Sequence, residues 1–301
     1  MRPLDLLTAV FVAFIWGLNF VVIKLGLQEL PPLLFSALRF AVAALPWVFL
    51  VGRPQAPWTI ILAIGLFLGL FKFSALFIGM DLGMPAGLAS LTLQAQAFFT
   101  VLFAALWLKE RPTRRQLAGM AIAFAGLALI ALDFGTAPQG MIGLALVVLA
   151  AAFWGIANLF MKEARGANAL NLIVWVSLIP PLPLLLISLA LDGPSAVAAA
   201  LLGLDRTGIG AVLYIGLGAT IVGFGLWGRL LRRYPAAVVA PFSLLVPVFG
   251  MSAGALLLGE PLSPIRLIAA ALILAGLAVL ALPVRNSRAA SRETPAPLQA
   301  S

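Results

Sequence analysis

Ten apolar segments, separated by short stretches rich in charged residues, Pro and Gly, run through almost the whole chain. A helix needs about 20 predominantly apolar residues to cross a bilayer, whereas a membrane strand needs about 9–11. Segments of this length therefore predict helices that span a lipid bilayer. They cover residues 4–23, 31–51, 57–78, 84–107, 114–132, 140–160, 169–190, 207–228, 236–258 and 264–283. We predict an all-α membrane protein with ten transmembrane helices.

The composition excludes several classes of protein. Hydrophobic residues make up 63% of the chain and charged residues 10%, whereas a soluble domain is about a quarter charged. The lack of Cys and His excludes a Cys/His metal site, a thiol nucleophile, disulfides and a Ser-His-Asp triad. We therefore expect no cofactor, no metal and no enzyme activity. The net charge of +9 comes from basic residues at segment ends and in the tail, so no nucleic-acid partner is expected.

The distribution of Lys and Arg predicts the orientation in the membrane. With a cytoplasmic N-terminus, 14 of the 19 Lys and Arg residues lie on the cytoplasmic side, three lie outside and two lie within segments. Membrane proteins carry their excess of Lys and Arg in cytoplasmic loops. We predict that both termini are cytoplasmic (N-in/C-in) and that residues 284–301 form a disordered cytoplasmic tail.

An internal repeat divides the chain into two halves. At a spacing of 138 residues, Trp16 matches Trp154, Gly17 matches Gly155 and Lys24 matches Lys162. At a spacing of 150 residues, the matches include Pro85-Ala86 with Pro235-Ala236 and Glu110 with Glu260. The twelve extra residues are predicted to lie in the loop after the seventh segment.

These matches predict two five-helix repeats, residues 1–134 and residues 139–283. Because each half has an odd number of segments, the two copies have opposite orientations in the membrane. Inverted repeats of this kind are typical of secondary transporters that work by alternating access around a site near the bilayer midplane.

Each half places a Trp and an Asn inside a membrane segment. Asn19 follows Trp16 by three residues and Asn158 follows Trp154 by four, so each pair shares one helix face. An aromatic surface beside an amide suits a small zwitterion with an apolar side chain. The alternative is that the Trp residues are interface anchors and the Asn residues bond neighbouring helices.

Further polar residues within the segments are candidates to line a cavity. Arg39 and Lys72 are predicted to face a substrate carboxylate, or else to reach an interface or backbone carbonyls. Gln94 and Gln96 are two apart and so point to different faces of a helix, which predicts that at most one lines a cavity.

Four other residues complete the candidate substrate-binding set. Ser243 lies between Pro241 and Pro247, which interrupt the backbone hydrogen bonds and free carbonyl groups for a ligand. The others are Trp175, as an aromatic wall, and the repeated Lys24 and Lys162. No Asp or Glu lies in mid-segment and no phosphate-binding G-x-x-x-x-G-K-[ST] loop is present, so neither an obvious proton relay nor direct ATP drive is predicted. Transport down the substrate gradient and proton exchange through Lys72 or a carboxylate at a segment end are the alternatives.

Four stretches resemble the EamA family of the drug/metabolite transporter superfamily: W-G-L-N-F-V-V-I-K (16–24), L-R-F (38–40), G-M-P-A-G-L-A-S-L-T-L-Q-A-Q-A-F-F-T (83–100) and S-L-L-V-P-V (243–248). The resemblance implies ten helices in two inverted repeats, an inner-membrane location and a central cavity. It also implies export of amino acids and related metabolites, either of the O-acetylserine/cysteine type or aromatic and broader amino acids.

Other functions remain open at this point. A lipid or lipid-carrier flippase would have a lateral opening between helices. A membrane-embedded enzyme would have clustered carboxylates or His near the interface, and a channel would have a ring of charges or carbonyls. The repeat with polar residues at mid-membrane favours a transporter of a small-molecule substrate. We expect it to act as a monomer, with a dimer left open.

Overall fold

The computed structural model describes residues 1–135, 138–164 and 166–281, and all the secondary-structure elements in these ranges are helices. The helices are α1 (Pro3–Gly26), α2 (Pro32–Ala44), α3 (Trp58–Asp81), α4 (Ala86–Trp107), α5 (Arg114–Phe134), α6 (Pro138–Glu163), α7 (Ala169–Leu191), α8 (Pro194–Leu202), α9 (Arg206–Arg233), α10 (Ala240–Leu258) and α11 (Pro264–Ala281). A helical turn at Ala236–Val239 precedes α10.

Eight of the helices within these ranges are long and apolar enough to cross a membrane, and α2 and α11 are shorter apolar helices. The prediction of an all-α membrane protein is therefore confirmed. The count of ten spans and the orientation stay predictions. The predicted tail, residues 284–301, lies outside the described residues.

Two segments differ from their predicted form. The second was predicted to run from 31 to 51, but α2 ends at Ala44 and the chain continues as turns. Pro46 explains this, because it has no backbone N–H and its ring clashes with the carbonyl of the preceding turn. The loop predicted after the seventh segment contains α8, which begins with Pro194 in its first turn, where Pro is favourable.

Four of the long helices change their winding. The backbone is π-helical at Gly65–Lys72 in α3 and at Tyr214–Val222 in α9. It is 3₁₀-helical at Leu93–Ala95 in α4 and at Ala240–Leu244 in α10. Such changes leave carbonyl groups without their usual partners and often occur at functional sites.

Close helix crossings occur at corresponding glycines of the two halves. A Cβ atom on Gly17 would lie 2.6 Å from Phe249 Cβ, and one on Gly155 would lie 2.7 Å from Phe99 Cβ. Phe99 and Phe249 are 150 residues apart. The backbones of α1 and α10, and of α6 and α4, therefore approach as closely as only glycine permits.

Polar contacts between helices mark each of the two ends of the bundle. At the N-terminal end, the carboxylate of Asp5 accepts hydrogen bonds from Arg233 Nη1 (3.0 Å) and Tyr234 Oη (2.7 Å). At the opposite end, Arg266 Nε lies 2.6 Å from the carboxylate of Asp133. Polar groups that bond one another at the ends leave the apolar helix surfaces between them to face lipid.

Candidate functional site

A cavity of about 350 Å³ lies inside the bundle and is not fully enclosed. Helices α1, α2, α3, α4, α6, α7, α9 and α10 all contribute to its wall, so both halves of the sequence meet there. Nine of the twelve predicted site residues line it: Trp16, Asn19, Arg39, Lys72, Gln94, Gln96, Trp154, Asn158 and Ser243.

The cavity extends from the middle of the bundle towards the N-terminal end. Met161 and Trp227 line it near the ends of α6 and α9 that lie on that side. Phe20, Leu76 and Ile215 line its deeper part, towards the opposite end. These three residues are buried, so the wall there is packed against the core of the bundle.

Trp16 is part of an aromatic wall. Its ring centre lies 5.2 Å from that of Phe224 and 5.3 Å from that of Trp227. Its indole N–H donates a 2.9 Å hydrogen bond to the backbone carbonyl of Ala219, within the π-helical segment of α9. The irregular winding of α9 thus supplies the acceptor that fixes the orientation of this indole.

Two basic side chains are buried in the wall. Arg39 is 3% exposed and Lys72 is 4% exposed. Arg39 Cζ lies 4.0 Å from the ring centre of Phe73, and Lys72 Nζ lies 3.3 Å from the same ring centre. Lys72 Nζ also lies 4.7 Å from the ring centre of Trp154. Cation–π contacts of this kind partly offset the loss of water around a buried cation.

The amide groups form two separate connections between helices. Asn158 Nδ2 donates to Gln96 Oε1 (2.5 Å) and to Thr100 Oγ1 (2.9 Å), which links α6 to α4. Gln94 Nε2 donates to the backbone carbonyl of Ser243 (3.1 Å), which links α4 to α10. These bonds cross between the two halves of the sequence.

The prediction that at most one of Gln94 and Gln96 lines the cavity is wrong. Both line it, because the chain at Leu93–Ala95 is wound as a 3₁₀-helix, whereas the prediction assumed regular α-helical winding. The free carbonyl predicted near Ser243 is present in the 3₁₀ segment of α10, but it accepts a hydrogen bond from Gln94.

Three predicted residues lie outside the cavity wall. Lys24 Nζ donates to the carbonyl of Met80 (2.6 Å) near the opposite end. Lys162 Nζ lies 2.5 Å from Glu110 Oε1 near the N-terminal end. The Trp175 ring packs against that of Trp58, 5.4 Å away. Each side chain is held by a neighbour outside the cavity, a contact that sequence spacing alone does not reveal.

The wall also contains residues that were not predicted from the sequence, and two of them contact predicted residues. Thr220 Oγ1 accepts a 2.9 Å hydrogen bond from Arg39 Nη2, and Phe224 packs on Trp16. Thr220 carried a usable signal, since a buried hydroxyl in an apolar segment needs a partner. Phe224 carried none, because Phe is common throughout the membrane segments.

An all-helical membrane bundle with a central cavity that carries a few polar side chains from both halves of the chain is typical of a small-molecule transporter. The chain belongs to the EamA-like transporter family, whose profile it matches twice, at residues 4–132 and 141–282. The resemblance found in the sequence is thereby confirmed, and the family is one of transporters rather than enzymes.

Curated relatives cover nearly the whole chain. A probable amino-acid metabolite efflux pump of Salmonella typhimurium strain LT2 is 46% identical over 92% of this chain and 94% of the relative. A protein of the same description from Escherichia coli strain K12 is 43% identical over the same shares. A probable terminal-alkyne amino-acid exporter of Streptantibioticus cattleyicolor is 28% identical over 88% and 89%.

The fold is also found in a solved crystal structure. That structure is 20% identical in sequence and superposes over 93% of this chain and 97% of the other, with a TM-score of 0.61. At this identity, the likeness concerns the fold alone.

Proposed function

We propose that the protein is a secondary transporter of the inner membrane that exports amino acids and related metabolites through the central cavity. The names of the 46% and 43% identical relatives, both probable amino-acid metabolite efflux pumps, support this class of cargo. The observation that carries the proposal is the cavity itself, whose size suits a small molecule. Its wall combines aromatic rings and amides from both halves with two cations from the first half.

Alternating access is the proposed mechanism, and the similarity of the two halves supports it. The corresponding helices α3 and α9 both contain a π-helical segment, and the corresponding helices α4 and α10 both contain a 3₁₀ segment. The glycine crossings at Gly17 and Gly155 also correspond. Two halves built alike can exchange conformations, so that one fixed site opens to each side of the membrane in turn. We accordingly propose two inverted five-helix repeats, with ten spans.

The polar contacts at the two ends of the bundle differ, and this difference bears on which conformational state of the transport cycle the structure represents. At the opposite end, Glu260 binds the backbone N–H groups of Ala86 (2.5 Å) and Gly87 (2.8 Å) at the start of α4. Its repeat counterpart Glu110 instead pairs with Lys162 in an exposed ion pair. We propose that, with N-in orientation, this is the state that is closed to the outside and loads a substrate from the cytoplasm, and the partly buried contact of Glu260 supports this assignment.

Transport driven by the substrate gradient follows from the position of the acids. None of the Asp and Glu side chains among the described residues lines the cavity, and they lie at helix ends. A proton relay within the membrane usually needs a carboxylate or a His. We therefore propose facilitated export without a coupled proton.

The test is uptake of labelled amino acids, O-acetylserine included, into proteoliposomes that contain the purified protein, with and without an imposed pH gradient. Saturable uptake that ignores the gradient supports the proposal, and uptake that rises with the gradient overturns the uncoupled mechanism. Absence of uptake for every amino acid, together with movement of a labelled lipid, would favour a flippase.

Substitution of the two Trp residues tests the cavity. Trp16→Ala and Trp154→Ala should impair uptake while membrane insertion is preserved, because both rings line the cavity. Trp107→Ala is the matched control, since Trp107 is 56% exposed at the end of α4 and is not part of the wall. Normal uptake by both cavity variants would contradict the proposed substrate path.

A further inference from the structure

The two cations of the cavity lie beside each other, and no anionic side chain of the described residues balances them. Arg39 and Lys72 both contact the ring of Phe73, so their positive charges occupy the same part of the wall. The three salt bridges among the described residues all lie elsewhere, at the two ends of the bundle. Two like charges so placed repel each other and attract an anion.

The hydrogen-bonding capacity of these cations is largely unused. Arg39 donates from Nη2 to Thr220, but Nε and Nη1 are buried and find no acceptor among the described residues. Lys72 makes no hydrogen bond within the described part of the chain. Buried charged donors are normally paired, and Arg in particular can hold a carboxylate through two parallel bonds. The unused donors therefore indicate a ligand that carries a carboxylate.

The same wall is unfavourable for the ammonium group of a zwitterion. No carboxylate of the described residues lines the cavity, so an ammonium would meet two positive charges and no negative one. The carboxylate of a free amino acid is attracted to these cations and its ammonium is repelled. Acylation of the amino group removes the repulsion, and a second carboxylate outweighs it, so a ligand of net negative charge is favoured.

The cavity wall also contains a hydrogen-bond acceptor that a ligand could use. Asn19 lines the cavity, and its Oδ1 is buried with no hydrogen-bond partner in the ranges described. A neutral amide N–H or a hydroxyl group on the ligand would satisfy it. An acylated amino group offers such an N–H without a positive charge.

We infer that the cavity selects amino-acid metabolites of net negative charge, either N-acylated amino acids or those with a second carboxylate. This inference rests on the proposed export function and names its substrate class. Arg39 and Lys72 bind the carboxylate, Asn19 accepts from the ligand, and the rings of Trp16 and Trp154 flank its apolar part.

The experiment compares ligands that differ mainly in charge. In proteoliposomes, uptake is measured for glutamate against glutamine and for N-acetylmethionine against methionine. The anionic member of each pair should have an apparent affinity higher by about tenfold or more, because a hydrogen bond to a charged group contributes enough for that factor. Both pairs are tested on the unmodified protein.

A variant assigns the preference to the cations. Lys72→Gln should reduce the ratio of anionic to zwitterionic affinity by about tenfold. Lys109→Gln, at an exposed lysine outside the cavity, should leave the ratio unchanged. If Lys72→Gln does not insert into the membrane, the comparison of ligands on the unmodified protein decides the question.

The outcomes separate the two proposals. Preference for glutamine and methionine would overturn the anionic substrate class while leaving amino-acid export intact. Equal affinities within both pairs would also overturn it. Failure to take up any of the four compounds or any other amino acid would overturn the export function itself.

Discussion

The carboxylate of Glu260 accepts a 2.5 Å hydrogen bond from the backbone N–H of Ala86, and this bond joins the end of α10 to the first residue of α4. The first turn of a helix has unpaired N–H groups and a partial positive charge, so a carboxylate there is stabilising. The two helices come from different halves of the sequence. The contact therefore ties the two halves together at the opposite end of the bundle, and under the proposed mechanism it would hold that end closed.

Replacement of Glu260 by Gln should loosen that end. Gln is uncharged and offers one acceptor, so the closed form loses about 1–2 kcal/mol, which is a factor of roughly 5–30 in population. The chain has no Cys, so a single cysteine can report on access. We expect Leu76→Cys in the deep wall to react correspondingly faster with an impermeant maleimide applied from the outside.

The matched control for this prediction is Glu29→Gln. Glu29 is an exposed acid near the same end, and its carboxylate bonds none of the described residues. Its replacement should leave the labelling of Leu76→Cys unchanged. Equal labelling rates in the Glu260 and Glu29 variants would mean that Glu260 does not hold this end closed.

The indole hydrogen bond of Trp16 predicts a difference between two otherwise similar substitutions. Trp16→Phe removes the hydrogen bond to the carbonyl of Ala219, a loss of about 0.5–1.5 kcal/mol. Trp154→Phe removes no hydrogen bond to the described residues. We expect a lower melting temperature in detergent for Trp16→Phe than for Trp154→Phe. Equal melting temperatures would show that the bond to Ala219 does not contribute.

The bond between Asn158 and Gln96 predicts coupling between two cavity residues. Because Asn158 Nδ2 donates to Gln96 Oε1, either single Ala substitution already removes the interaction. The loss in apparent substrate affinity for the double variant should therefore be smaller than the two single losses combined, by roughly 0.5–3 kcal/mol. The measurement is uptake by the four proteins of the cycle. Additive effects would indicate that the two side chains act separately.

The glycine crossings predict where a single methyl group is harmful. Gly17→Ala and Gly155→Ala place a Cβ within 3 Å of the partner helix, and overpacking of this kind costs about 1–3 kcal/mol. Gly210→Ala is the control, because a Cβ there has no neighbour within 4 Å. Thermal melting in detergent should give lower midpoints for the first two variants only. A fall of the same size for Gly210→Ala would refute the packing argument.

The class of protein and most of the cavity residues named beforehand could be predicted from the sequence. The long apolar segments predicted membrane helices, because burial of backbone polar groups in lipid leaves few alternatives. The W-G phrase and the span around residues 83–100 identified the family. The prediction of nine residues that do line the cavity followed from a simple rule: a polar side chain within a membrane segment needs a reason to be there.

The errors arose where the winding of the helix changed or a distant partner intervened. The orientation of Gln94 and Gln96 was predicted from α-helical spacing, but a 3₁₀ segment turns both towards the cavity. Lys24 and Lys162 looked alike in the sequence, yet each bonds a different kind of group outside the cavity.

The sequence by itself determined that the chain is a helical membrane protein of the EamA-like family, because composition and segment length are local properties. Only the tertiary structure decided which charged side chains have no oppositely charged neighbour among the described residues. Arg39 and Lys72 lie 33 residues apart in the chain, on different helices. Their common neighbour Phe73, and the lack of a carboxylate beside them in the described part of the chain, depend on how the helices pack. The same packing joined Glu260 to α4 and exposed Glu110, since contacts between distant segments have no signature in local spacing.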